Sequence, residues 1–158
     1  MAEADESERE RALRGAKIIV VKIGSAVIAG RDSLNYQAME DLAAQLAALK
    51  NNGKKIILVS SGAVAAGKAV LKIRGIDNFP NYKVAKRALA AAGQSLLMQA
   101  WNNAFAPWGV IVAQALLTRD DLRSRRRFQF ATSTFLQMLA WDLLPIVNEN
   151  GPVSPSEL

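Results

Sequence analysis

A chain of 158 residues with 51% hydrophobic and 22% charged residues is long enough for one compact domain with a sizeable core, and its composition is not that of a disordered chain. It has no cysteine and no histidine, which excludes disulfides, thiol nucleophiles, imidazole bases and Cys/His metal sites together. The formal charge of +6 leaves two readings open: a nucleic-acid surface anchored on Arg123, Arg125, Arg126 and Arg127, or a solvated surface with a site that attracts anions.

The basic run is short and lacks interleaved aromatics that could stack on bases, which weighs against nucleic acid. Residues 1–16 read as a charged N-terminal extension without an apolar centre. No stretch of about 18 apolar residues runs free of charge, so neither a secretory signal nor a membrane span is expected, and a cytoplasmic protein is.

The main domain is expected over 17–151. Lys17 to Ile23 is an apolar, β-branched run of strand length that ends at Gly24. After the turn-prone Arg31-Asp32-Ser33, the residues Met39, Leu42, Ala43, Leu46 and Leu49 recur at helical spacing, with Gly53 as the stop. Lys55 to Val59 is a second strand, broken at Ser60-Ser61-Gly62. An Ala-rich helix follows over Ala63 to Ile73, and Gly75 to Asn81 forms a loop.

Tyr82 to Phe105 is a long helix, in which Ala88, Ala91, Ala92 and Ser95 would allow close packing while Leu96, Leu97 and Trp101 supply bulk. Pro107-Trp108-Gly109 ends it. Val110 to Leu117 is a third strand, Phe128 to Trp141 is helical, and Leu144 to Val147 is a short fourth strand leading into Asn148-Glu149-Asn150-Gly151. Residues 152–158, with Pro152 and Pro155, read as a tail. Strands separated by helices, each nearly continuous in apolar residues, predict an α/β fold. The expected architecture is an open, mainly parallel sheet with helices on both faces, an α/β/α sandwich. Ligands of such sheets bind beyond the carboxyl ends of the strands.

Those ends carry the polar and small residues. Lys22 beside Gly24 and Ser25 has the makings of a phosphate holder, an ammonium next to approachable main chain; a surface lysine by a turn glycine is the alternative. Ser60-Ser61-Gly62-Ala63 opens directly into a helix, where orphan N–H groups and hydroxyls suit an anion, or where Ser60 or Ser61 serves as an N-cap. Gly62 to Ala69 almost spells a P-loop, but Ala69 stands where a hydroxyl must bind Mg²⁺, and the Ala-rich interior favours helix over a cradling loop. Asn148 and Asn150 could hydrogen-bond a carboxylate or amine, and Glu149 could take a cation; Asn-Gly is equally a turn signal.

Five blocks in one order carry a resemblance: Val20 to Ser25, Leu58 to Gly67, Ala91 to Gln99, Ala113 to Leu122 and Pro145 to Asn150. Together they resemble the glutamate 5-kinases of the amino acid kinase family. The resemblance implies the N-terminal half of that family's fold, with ATP and Mg²⁺ as cofactors and the side-chain carboxylate of glutamate as phosphoryl acceptor. It implies that Lys22 contacts the transferring phosphate as the catalytic residue, with Gly24 and Ser25 beside it, and that Ser61, Gly62, Ala63 and Asn150 hold substrate. The chain departs from the family at Ser133, which stands where a substrate-binding Asp is expected, and at Gly151, which replaces another carboxylate. The family's nucleotide loop and second lysine would lie beyond Leu158. A sheet ending here has an open edge, from which a homo-oligomer is expected.

Overall fold

The computed structural model describes residues 10–12, 14–30 and 33–151. Most of the expected extension, the turn residues Arg31 and Asp32, and the whole of the expected tail lie outside them. Four strands, β1 (Ile18–Ile23), β2 (Lys55–Ser60), β3 (Val112–Leu117) and β4 (Leu144–Glu149), form one sheet in the order β1-β2-β4-β3 with every pair parallel. A one-turn helix α1 (Ser25–Ile28) and α2 (Tyr36–Asn51) join β1 to β2. Helices α3 (Ala63–Ile73) and α4 (Tyr82–Phe105) lead to β3, and α5 (Arg119–Arg123) and α6 (Arg125–Ala140) lead to β4.

The strand order explains the layers. Parallel crossovers are right-handed almost without exception, so connections that step across the sheet in one direction share a face, and a reversal changes it. The chain moves forward through β1, β2 and β3, then steps back to β4. Helices α2 and α4 accordingly cover one face. Met39, Ala43, Leu46 and Ala47 of α2 and Leu97, Trp101 and Phe105 of α4 are buried there against Ile23, Ile56, Leu58, Leu144 and Ile146. Helix α6 lies over β4 on the other face, with Leu139 buried.

This second face is only partly covered. Along β1 burial alternates, with Ile19, Val21 and Ile23 inward and Ile18, Val20 and Lys22 outward, and Val20 is 61% exposed. The expectation that every strand is buried on both sides therefore fails at β1, because the one long helix on this face sits over β4.

The close approach between helices is not where the alanines suggested. Ala88, Ala91, Ala92 and Ser95 face solvent. Helix α4 instead meets α3 through glycines: a Cβ on Gly93 would lie 1.9 Å from the Ala63 carbonyl oxygen, and one on Gly67 would lie 2.0 Å from the Leu89 carbonyl oxygen. Gly67 is thus an interior residue of a continuous helix, which disposes of the P-loop spelling.

Candidate functional site

The carboxyl ends of β1, β2 and β4 lie side by side, since Ile23 is in register with Ser60, and Leu58 and Val59 with Ile146 and Val147. On the face that carries α3 and α4 these ends open into a cleft of about 910 Å³. Ser25, Ser61, Gly62, Ala63, Asn148 and Glu149 wall it at the sheet, and Lys68, Lys72, Tyr82 and Lys86 wall it further out.

The turn into α3 is held from several sides. Ser60 is 2% exposed; its hydroxyl accepts a hydrogen bond from the Trp101 indole N–H at 2.9 Å and donates to the Ser61 carbonyl at 2.9 Å. Neither serine caps the helix, because Gly62 occupies the N-cap position without a side-chain bond. Its φ is +116°, and a Cβ there would press within 2.6 Å of Ile28, so glycine is required for backbone and space together. The Ser61 N–H donates to the Ile23 carbonyl at 3.1 Å, tying the turn to the end of β1.

The structure brings six of the sequence-derived candidates, Ser25, Ser61, Gly62, Ala63, Asn148 and Glu149, into the cleft wall. Lys22, Gly24, Asn150 and Ser133 are not part of that wall. Lys22 is exposed, in register with Val59, and by alternation leaves β1 on the outer face. Gly24 has φ −78° with open space around its Cα, so the chain itself does not demand glycine there. The Asn150 N–H donates to the Leu117 carbonyl at 2.9 Å, fastening the end of β4 to β3. Ser133 is exposed on α6, where its hydroxyl donates to the Phe130 carbonyl at 2.9 Å. Gly151 is a buried residue of the cleft wall.

Sequence reasoning missed the lysine wall: Lys68 fell within the discarded P-loop spelling, and Lys72 and Lys86 were not singled out. The i, i+4 spacing of Lys68 and Lys72 on α3 was the available signal. Lys68 lies 5.0 Å above the Tyr82 ring, which steadies its ammonium at the cleft mouth.

A second, more apolar cavity of about 450 Å³ lies on the outer face. Ile57, Val59, Leu117, Leu122, Phe135 and Val147 line it, and it shares Asn148 and Glu149 with the cleft. Next to it, Thr118 and Asp121 form a capping box at the start of α5, the Thr118 hydroxyl donating to Asp121 Oδ2 at 2.6 Å and its N–H at 2.7 Å. Those two bonds, aided by Arg127, hold the Asp121 carboxyl below its ordinary value.

Among the described residues, no group of three or more acidic side chains could cage a metal ion, and no helix is long and apolar enough to cross a membrane. What the rim offers is hydroxyls, main-chain N–H groups, amides and ammonium groups, a donor set that suits carboxylate and phosphate oxygens.

Comparison with known proteins shows the family to which the chain is related. The profile of the amino acid kinase family matches residues 17–158. The chain is 49% identical over 152 residues to a glutamate 5-kinase of Nitratidesulfovibrio vulgaris, covering 96% of this chain and 39% of that protein. It is 48% identical over 143 residues to a glutamate 5-kinase of Thermus thermophilus, covering 90% and 38%. The chain thus spans about two-fifths of the length of these relatives. Among solved structures, the isopentenyl phosphate kinase of T. acidophilum matches with a TM-score of 0.50 at 10% identity, over 84% of this chain and 54% of that one, a likeness of fold.

Proposed function

Because the chain belongs to the amino acid kinase family, we propose that it forms the acceptor-binding part of a glutamate 5-kinase, a cytoplasmic enzyme of proline synthesis that phosphorylates the side-chain carboxylate of glutamate with ATP. One observation carries this reading. The cleft at the carboxyl rim is walled by Ser61, Gly62 and Ala63 at the start of α3, in a chain 49% identical to a glutamate 5-kinase.

The attacking carboxylate is already ionised at neutral pH, so the reaction needs no general base, consistent with a chain without histidine. The task left to the protein is positioning and charge stabilisation. Ser61 and the first N–H groups of α3 orient the acceptor, and Asn150 at the end of β4 holds its amino-acid group. Lys22 leaves β1 near its end on the outer face. In this reading its long side chain turns over the strand end, beside the main chain of Gly24 and Ser25, to stabilise charge on the transferring phosphoryl group. Ser133 and Gly151 bring no carboxylate to the acceptor ammonium, leaving Asp77 and Glu149 as the acids of the cleft wall. ATP supplies the phosphoryl group when bound, and its Mg²⁺ neutralises phosphate charge. With no acidic cluster among the described residues, that cation would be held chiefly through the phosphates. Self-association through the β1 side, where Ile18 and Val20 are exposed, completes the proposal; a monomer on gel filtration would contradict it.

Calorimetric titration with glutamate and a coupled kinase assay test the function. Heat of binding with glutamate, and phosphoryl transfer lost about a hundredfold or more in Lys22→Ala at an unchanged melting temperature, are expected. A parallel loss of activity and thermal stability would remove Lys22 from its role. A chain silent toward glutamate that binds a short nucleic acid in a strongly salt-dependent way would overturn the kinase reading.

A further inference from the structure

Asn148 walls the cleft, and its amide is held at both ends. Nδ2 donates to Gln94 Oε1 at 2.9 Å, and the Glu149 N–H donates to Asn148 Oδ1 at 2.9 Å. Turning the Asn148 amide over would set acceptor against acceptor at Gln94 and donor against donor at Glu149, and turning the Gln94 amide over would set donor against donor at Asn148, so the pair defines one orientation. In that orientation the Asn148 oxygen is engaged and one N–H remains for a ligand in the cleft.

Gln94 is well placed to set this geometry. Its neighbour Gly93 lies against the Ala63 carbonyl and the Gly67 N–H, at the crossing of α4 with α3. One turn earlier, Ala90 stands 3.3 Å from where a Cβ on Gly151 would be. A single turn of α4, residues 90–94, therefore touches the start of α3 on one side and the end of β4 on the other. The spacing between the Ser61 turn and Asn148 is gauged by that turn, and the direction of the Asn148 amide by Gln94.

Building on the acceptor-site reading above, we propose that Gln94 is a positioning residue that acts through Asn148, presenting the Asn148 N–H as a donor to the carboxylate of the acceptor. It does not touch the acceptor itself.

The test uses the full chain carrying Gln94→Leu, Gln94→Glu, Asn148→Ala, and Gln94→Leu combined with Asn148→Ala. Glutamate is titrated by calorimetry, and the Asn148 side-chain amide protons are followed by NMR without ligand. Gln94→Leu is expected to weaken glutamate binding about tenfold, the scale of one lost orienting hydrogen bond. Gln94→Glu, which keeps an acceptor oxygen for Nδ2, should bind close to the unaltered chain. In the Asn148→Ala background, Gln94→Leu should add nothing. A Gln94 that only fills space would lower the melting temperature in both single variants without this ordering. Unchanged affinity in Gln94→Leu, or full additivity with Asn148→Ala, overturns the proposal. Should the unaltered chain give no heat with glutamate, the functional reading fails instead, and the NMR arm still decides the positioning. There, Gln94→Leu must shift the Asn148 amide protons and speed their exchange, and unmoved resonances overturn it.

Discussion

Replacing Gly93 by alanine sets two effects of opposite sign against each other. Alanine is the better helix former by about 1 kcal/mol, so propensity alone makes Gly93→Ala stabilising. The added Cβ, however, would stand 1.9 Å from the Ala63 carbonyl oxygen and 2.3 Å from the Gly67 nitrogen. Ordinary contact begins at 3.4 Å, so α3 must retreat by about 1.5 Å, and because the obstacles are backbone atoms no side-chain rotation relieves them. Overpacking of this kind costs about 3 kcal/mol at the upper end of its usual range, leaving a net loss of about 2 kcal/mol. For a chain of this size that lowers the melting temperature by about 4–8 °C. Urea and thermal denaturation measure it, with Ala88→Gly on the solvent side of the same helix as comparator. That exchange should cost about 1 kcal/mol through propensity alone. Adding a methyl at residue 93 and removing one at residue 88 are both expected to destabilise. A Gly93→Ala protein more stable than the unaltered chain would refute the backbone-contact argument.

Ser60→Ala should cost about 1–3 kcal/mol in urea titration, because it strands the buried Trp101 indole N–H without an acceptor; an unchanged midpoint would mean that the N–H finds another partner. Asp142 accepts from Lys50 at 2.7 Å and Lys55 at 3.0 Å, and these bonds, Lys50 first, hold its carboxyl below the ordinary value. A depressed folded value contributes stability above the unfolded value of about 3.9, and that contribution is lost as pH falls through the folded value. Because Asp142 is 69% exposed, Asp142→Asn should cost under about 1 kcal/mol at neutral pH, with the gap closing in acid; a gap that widens below about pH 4 would contradict the assignment.

Much of the fold was legible because its signals are local. The apolar runs of β1 and β2, the helical recurrence of Met39, Ala43 and Leu46, and the glycines at strand ends each depend on residues within a few positions of one another. The rim could be read for the same reason: in a parallel sheet every strand delivers its carboxyl end to the same side, so Ser25 and Ser61 had to meet there once the strands were recognised.

What sequence reading could not reach was set by partners distant in the chain. Ser60 looked like a helix cap and proved to be the buried partner of an indole 41 residues away. The small residues of α4 offered several faces for close packing, and only the crossing with α3 decided that Gly93 and Gly67 meet while Ala88 and Ala91 face water. Lys22 was correctly located near a strand end, but the face it leaves by follows from the order β1-β2-β4-β3, which puts three helices on one side and leaves β1 bare on the other. The sequence by itself determined the elements, the rim and the donor chemistry available there, because hydrophobic period and turn chemistry act over neighbouring residues. The tertiary structure alone decided which donors share a cleft, because that depends on how helices far apart in the chain approach one another to within an atom's width.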